Sequence, residues 1–176
     1  MKLKKDINTI KKLSREKDEE NWGFRSFLKS GGMPRSKIDA IVQRLDKKIS
    51  AQIDCKTCAN CCKEIKPVLK QDDIANLAAG MKMSPEKLIK QYLVETDTDG
   101  EYHFNALPCP LLKNNLCSVY NFRPNDCRSF PHLHKKNFVS RSMSVVNNTA
   151  ICPIVFNVYE ELKSEIWEMD EFDDFY

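Results

Sequence analysis

Apolar residues recur at helical spacing through the first fifty positions. Leu3, Ile7, Ile10 and Leu13 form one stripe, and after Pro34 a second stripe places Ile38, Ile41, Val42, Leu45 and Ile49 on one face, with Ser36 as the expected N-cap. Between them Trp22, Phe24, Phe27 and Leu28 make an aromatic cluster closed by Gly31-Gly32. Stripes of this kind are read as packing surface. Ile65 to Lys70, interrupted by Pro67, reads as an extended edge segment. Two short helices are predicted next. One runs from Asp72 to Ala79 and stops at Gly80; the other runs from Pro85 to Leu93 behind Ser84. Asp97 to Gly100 is a turn, Tyr102-His103-Phe104 a brief strand, and Leu111-Leu112 with Leu116 to Tyr120 flank Lys113-Asn114-Asn115 as a hairpin. Phe138 to Val146 alternates loosely and is expected to pair with that hairpin. A last helix starts at Pro153 and runs to about Met169, with Ile154, Val158, Leu162, Ile166 and Met169 on its buried side.

The sum is an α+β fold, mainly helical with a small antiparallel sheet, expected as a single domain. Its expected divisions are a helical extension over 1–50, a cysteine-rich domain over 51–160, and the helix end with an acidic tail over 161–176. No internal repeat is present.

With 176 residues, 41% of them hydrophobic, the chain can bury a core. Its five glycines supply no GxGxxG or GxxxxGK[ST] phosphate loop, and there is no GxSxG elbow or HExxH helix. Ordinary nucleotide-binding and hydrolase readings therefore fall away, and no catalytic residue is identified. Residues 1–10 are charged and lack a continuous apolar run, which gives an expectation of a cytoplasmic protein. Ser142 to Tyr159 is uncharged, but Asn147, Asn148, Thr149, Pro153 and Asn157 argue against a membrane span. The net charge of +3 hides a basic residue 1–17 segment and an acidic 160–176 segment. The amino-terminal helices are a candidate surface for a protein partner. No basic stripe interleaved with aromatics supports nucleic-acid binding.

The eight cysteines change the picture most. Cys55, Cys58, Cys61 and Cys62 give CxxCxxCC, followed singly by Cys109, Cys117, Cys127 and Cys152. On one continuous helix the first four sulfurs would fall within an arc of about 120°. On a loop, each CxxC spacing still lets two sulfurs converge on one ion. A disulfide framework suits the even number, but a reducing compartment opposes it and the adjacent Cys61-Cys62 pair is awkward to bridge. Inert buried thiols would not cluster so densely. Metal ligation is the remaining reading. Three cysteines at successive spacings of three resemble the cubane iron–sulfur run, whose remote cysteine precedes proline; Cys109-Pro110 and Cys152-Pro153 both qualify. Iron or an iron–sulfur cluster, including 4Fe–4S, is the first expectation and zinc the alternative, at one site or two.

Arg123 and Arg128 bracket Cys127 and are candidate cofactor-binding residues that would offset thiolate charge; Arg123 could equally cap the Tyr120 turn. His132-x-His134, on an extended segment, would point both rings the same way and is read as a surface pair or as support behind the ligands.

These elements together resemble the YkgJ-like cysteine-cluster proteins, described as chelating zinc or iron. The resemblance rests on Cys55 to Cys62, Cys109-Pro110-Leu111-Leu112, Cys117-Ser118-Val119-Tyr120, Arg123-Pro124-x-x-Cys127-Arg128-x-Phe130-Pro131 and Cys152-Pro153, and covers roughly residues 50–160. Each cysteine falls on a motif position, which implies that all eight serve the metal. Asn114-Asn115 stands where a glycine-containing turn is common, and asparagine tolerates the left-handed conformation. The family is similar to the cysteine-rich part of bacterial flagellin lysine methylases, which implies redox or modification chemistry on proteins. The leading expectation is thus an electron-transfer or oxidoreductase-like metalloprotein stapled by its metal; the alternative is a non-catalytic zinc-stapled interaction module.

Overall fold

The computed structural model describes residues 2–173, with side chains to Trp167. In chain order its elements are α1 (Ile7–Glu16), α2 (Asp18–Ser30), α3 (Arg35–Ser50), α4 (Cys55–Cys58), α5 (Asn60–Glu64), α6 (Gln71–Gly80), α7 (Pro85–Tyr92), β1 (Leu93–Glu95), β2 (Tyr102–Phe104), β3 (Leu112–Lys113), β4 (Leu116–Cys117), a 3-10 turn (Tyr120–Phe122), α8 (Asn125–Ser129), α9 (Phe138–Asn148) and α10 (Pro153–Asp173). The architecture is mostly helical with two small antiparallel sheets. The chain divides into two compact units, one formed by 1–54 with 131–176 and the other by 55–130. These limits cut the chain elsewhere than the expected boundaries at 50 and 160. Among the described residues no helix is long and apolar enough to cross a membrane.

The first unit is a helical assembly around α10. Asp6 caps α1 by accepting from the Thr9 N–H at 2.8 Å, and Gly31, at φ 92°, ends α2 in the left-handed conformation that suits glycine. All five apolar positions read on α3 are buried. Its N-cap is Pro34 rather than Ser36: the Pro34 carbonyl accepts the first helical bonds from Lys37 and Ile38, so Ser36 already lies inside the first turn. α10 is buried nearly all round from Cys152 to Tyr159 and then on the Leu162 and Ile166 side. Met169 lies outside the described side chains. Phe24 of α2 packs edge-on against Tyr159 at 5.5 Å and Trp167 at 5.1 Å. Lys163, only 3% exposed, is held by Glu20 at 2.5 Å, Asn21 at 2.9 Å and Glu160 at 2.5 Å, as a buried ammonium must be. The apolar faces of α1 and α2 are thus used inside their own unit.

Residues 138–146 are helical, which corrects the expected strand. Phe138, Val139, Ser142, Val145 and Val146 are the buried positions of α9, a spacing of 3.6 rather than 2. Both oxygens of Asp39 on α3 accept from the start of that helix, at the N–H groups of Asn137 and Phe138, each at 2.9 Å.

The second unit is smaller in its elements. Leu69, Ile74, Leu77, Ala78, Leu88, Leu93, Phe104 and Leu111 form its core. β1 and β2 pair antiparallel with Leu93 opposite Phe104, and Leu69 adds an isolated bridge to Tyr102 through bonds of 2.8 and 2.9 Å. The extended reading of 65–70 matches that bridge. α7 starts at Pro85 with the Ser84 hydroxyl accepting from Lys87 N–H, but ends at Tyr92 because Leu93 is already extended and opens β1. Gly80 is the last residue of α6 rather than the stop after it. A β-carbon there would come within 2.4 Å of the Phe122 ring, so the glycine permits a close approach. β3 and β4 form the expected hairpin, Leu112 opposite Cys117, across Asn114 at φ 50° and Asn115 at φ 60°.

Candidate metal centre

The cysteine run is not one helix. Ala59, at φ 51°, separates α4 from α5, so Cys55 and Cys58 lie on one short turn and Cys61 and Cys62 on the next. Backbone bonds then fix this segment to the others. Cys109 N–H donates to the Cys62 carbonyl at 2.8 Å, bringing the second cysteine segment beside the first. Cys117 follows on β4, paired to Leu112 three residues after Cys109. Cys127 lies on α8, whose start is held by Asp73: one carboxylate oxygen accepts from Asn125 N–H at 2.7 Å and the other from Lys70 N–H at 3.2 Å. Asp126 accepts in turn from Val68 N–H at 3.1 Å.

These segments surround a cavity of about 280 Å³, lined by Cys55, Cys61, Cys62, Cys109, Cys117 and Cys127. It is far larger than the ~10–15 Å³ needed to admit one water. No disulfide joins any of the eight cysteines in this structure. Cys58 is half-buried on α4 beside Cys55. Cys152 lies in the other unit, buried at the start of α10, where its N–H donates to Asn148 O at 2.9 Å. Electrostatics link the thiols within the cavity. A hydrogen bond from Cys61 lowers Cys62 to about 7 against its burial, helped by the positive charges of Arg123 and Lys63. Burial raises Cys109 to about 11, with Cys62 and Cys117 adding to the rise while the N–H groups of Leu111 and Leu112 oppose it. Burial also raises Cys117, against the Val119 N–H and Arg123. Cys127 is pushed up to about 12 by burial, then by Cys62 and Cys109. Among Cys62, Cys109, Cys117 and Cys127, Cys62 alone is lowered and the other three are raised, with the Cys62 charge contributing to each rise.

The donors are soft sulfurs with backbone N–H groups aimed at them, a chemistry that suits iron or zinc. In this structure, however, no three His, Cys, Asp or Glu side chains among the described residues converge closely enough to hold an ion. The fit is therefore one of donor type and shared cavity, and not of finished coordination geometry.

Arg123 makes the turn contact that the sequence offered as one of its two readings. Its Nε donates to the Tyr120 carbonyl at 2.9 Å and its guanidinium stacks on the Tyr120 ring at 3.5 Å, while its charge acts on Cys62 and Cys117. Arg128 lines the same cavity and donates through Nε to the Arg123 carbonyl at 2.7 Å. His132 and His134 fall in the other unit, and His132 has φ 63°, so the extended segment assumed for the pair is absent. Three residues escaped the sequence reading. Asp73 looked like an ordinary acid in a first turn, Asp126 like a surface charge, and Lys56, whose ammonium stands 5.2 Å from the Tyr120 ring, like a spacer between cysteines. Asp126, adjacent to Cys127, and Lys56, adjacent to Cys55, carried a positional hint.

The family model described as "CxxCxxCC: Putative zinc- or iron-chelating domain" matches residues 54–153, from the residue before Cys55 to the residue after Cys152. No curated protein and no solved structure matches the chain. The match spans more than half the chain and every cysteine described above, and the chain belongs to this zinc- or iron-chelating CxxCxxCC family.

Proposed function

We propose that the 55–130 unit binds iron, as a mononuclear or iron–sulfur centre, and that the protein works as a redox metalloprotein in a reducing, cytoplasmic setting. The observation that carries this reading is the cavity lined by six thiols, more than the four a closed structural zinc site uses. Cys55, Cys58, Cys61, Cys62, Cys109, Cys117 and Cys127 are the donors within the unit, and Cys152 is the remaining candidate. Bound iron would supply a one-electron redox couple. The chain supplies thiolates, N–H groups from Leu111, Leu112 and Val119 directed to sulfur, and Arg123 to offset negative charge.

A second reading has its own support. The core of this unit consists of eight buried residues with two-residue and three-residue strands, so a structural zinc would add folding energy that the core lacks. Metal analysis and visible absorbance of protein purified without oxygen separate the two. Stoichiometric iron with thiolate-to-iron charge-transfer bands is expected; a colourless protein holding stoichiometric zinc replaces the redox reading with the zinc module. Cys127→Ser should lower metal content, and Cys152→Ser measured beside it tests whether the eighth cysteine is a ligand.

A further inference from the structure

The thiol cavity has a second chemical character. Its wall is largely apolar: Phe104 and Leu111, 2% and 4% exposed, belong to the unit's core, and Leu116, 53% exposed, stands at the rim. Beside this wall are two guanidinium groups with a shared arrangement. Arg123 uses Nε on the Tyr120 carbonyl, and Arg128 uses Nε on the Arg123 carbonyl at 2.7 Å with one further contact to Asn121 O at 3.4 Å. Both are therefore oriented through backbone, and no ion pair to either guanidinium is present among the described residues. With Nε of each arginine held by backbone and one Nη2 hydrogen of Arg128 on Asn121 O, the Nη1 hydrogens and the second Nη2 hydrogen form the planar end of the group, which takes a carboxylate or phosphate oxygen pair. Arg123, stacked on the Tyr120 ring, and Arg128, solvent-exposed, both line the thiol cavity.

We infer that this cavity takes a small organic anion, a carboxylate on an apolar body, with the carboxylate on Arg128, supported by Arg123, and the hydrocarbon against Leu111, Leu116 and Phe104. The inference rests on the metal reading only in placing the anion beside the thiolate-bound metal. A bare inorganic anion leaves the apolar wall wet, and an uncharged aromatic leaves the fork unanswered, so the two halves of the cavity together select one class of ligand. Tyr120 serves as the floor of the fork, its ring stacked by Arg123 at 3.5 Å and approached by Lys56 at 5.2 Å.

Benzoate, benzamide and inorganic phosphate, titrated calorimetrically at low salt into the full-length protein as purified, test this. Benzoate should bind saturably, and benzamide and phosphate each at least about tenfold more weakly. Arg128→Gln should weaken benzoate by about tenfold or more, as expected for losing a charge-assisted pair, and Arg128→Lys should restore it only in part. Metal per chain, measured on the same samples purified without oxygen, keeps the two readings apart: benzoate binding that does not follow metal content supports this inference, while the iron content itself decides the iron reading. The inference is overturned if benzoate does not saturate, if phosphate or benzamide binds as well, or if Arg128→Gln binds benzoate like the parent chain.

Discussion

Asp73 shows how one buried residue can position a site it does not enter. Its carboxylate is 6% exposed and accepts from two backbone donors, Lys70 N–H at the start of α6 and Asn125 N–H at the start of α8. Removing it leaves both donors short of a partner at a cost of about 1–3 kcal/mol each, and releases the helix that presents Cys127. Asp73→Ala should therefore lower both the urea midpoint and the metal bound per chain. Asp72→Ala, one residue earlier and exposed, should move stability by no more than about 0.5 kcal/mol and leave metal content alone. Equal behaviour of the two variants would remove Asp73 from the site. Nothing in the sequence separated these neighbours, because an acid in a first turn is common and its two partners lie 3 and 52 residues away. Gly80 was ambiguous in the same way. It reads as a helix stop, yet the reason for it is the Phe122 ring that a β-carbon would meet, a contact across 42 residues that local pattern cannot express.

At the scale of elements, legibility followed how local the cause was. The β3–β4 hairpin was readable because its turn needs positive φ at two consecutive residues and Asn114-Asn115 tolerates it. That requirement is testable. Asn114→Gly should keep stability within a few tenths of a kcal/mol, whereas Asn114→Val places a β-branched residue in the left-handed region at about 1–2 kcal/mol. The valine variant should also retain less metal, since Cys117 sits on this hairpin opposite Leu112; thermal melting with metal analysis reads both effects. α3 and α10 were equally plain, each carrying a long apolar stripe. α9 was not, because Phe138, Val139, Ser142, Val145 and Val146 fit a helix only if Ser142 is counted as an inward residue, and a hydroxyl is usually counted outward. Ser142 satisfies itself by donating to the Val139 carbonyl at 2.7 Å, which is how a helix can bury it. The break at Ala59 had no signal, since alanine disfavours positive φ and only the tertiary setting of the cysteines holds it there.

For the whole molecule, the two units differ in how much of their stability can come from apolar burial. The unit of 1–54 and 131–176 contains α3 and α10 with a continuous buried stripe and a paired internal lysine, while 55–130 relies on eight core residues and strands of two or three residues. Where core area is short, metal-binding energy becomes folding energy. The chain also carries convenient reporters. Its two tryptophans, Trp22 and Trp167, both belong to the first unit, whereas the Leu69–Tyr102 amide pair belongs to the second. Stripping the metal with a chelator should accelerate hydrogen exchange at the Leu69 and Tyr102 amides by orders of magnitude, because their protection can then be no greater than the metal-free unit's own stability. The amides of α3 should stay protected and the urea midpoint read by tryptophan fluorescence should hold. Unchanged exchange at Leu69 and Tyr102 after complete metal removal would show that eight buried residues suffice to fold this unit, and the metal would then serve chemistry alone.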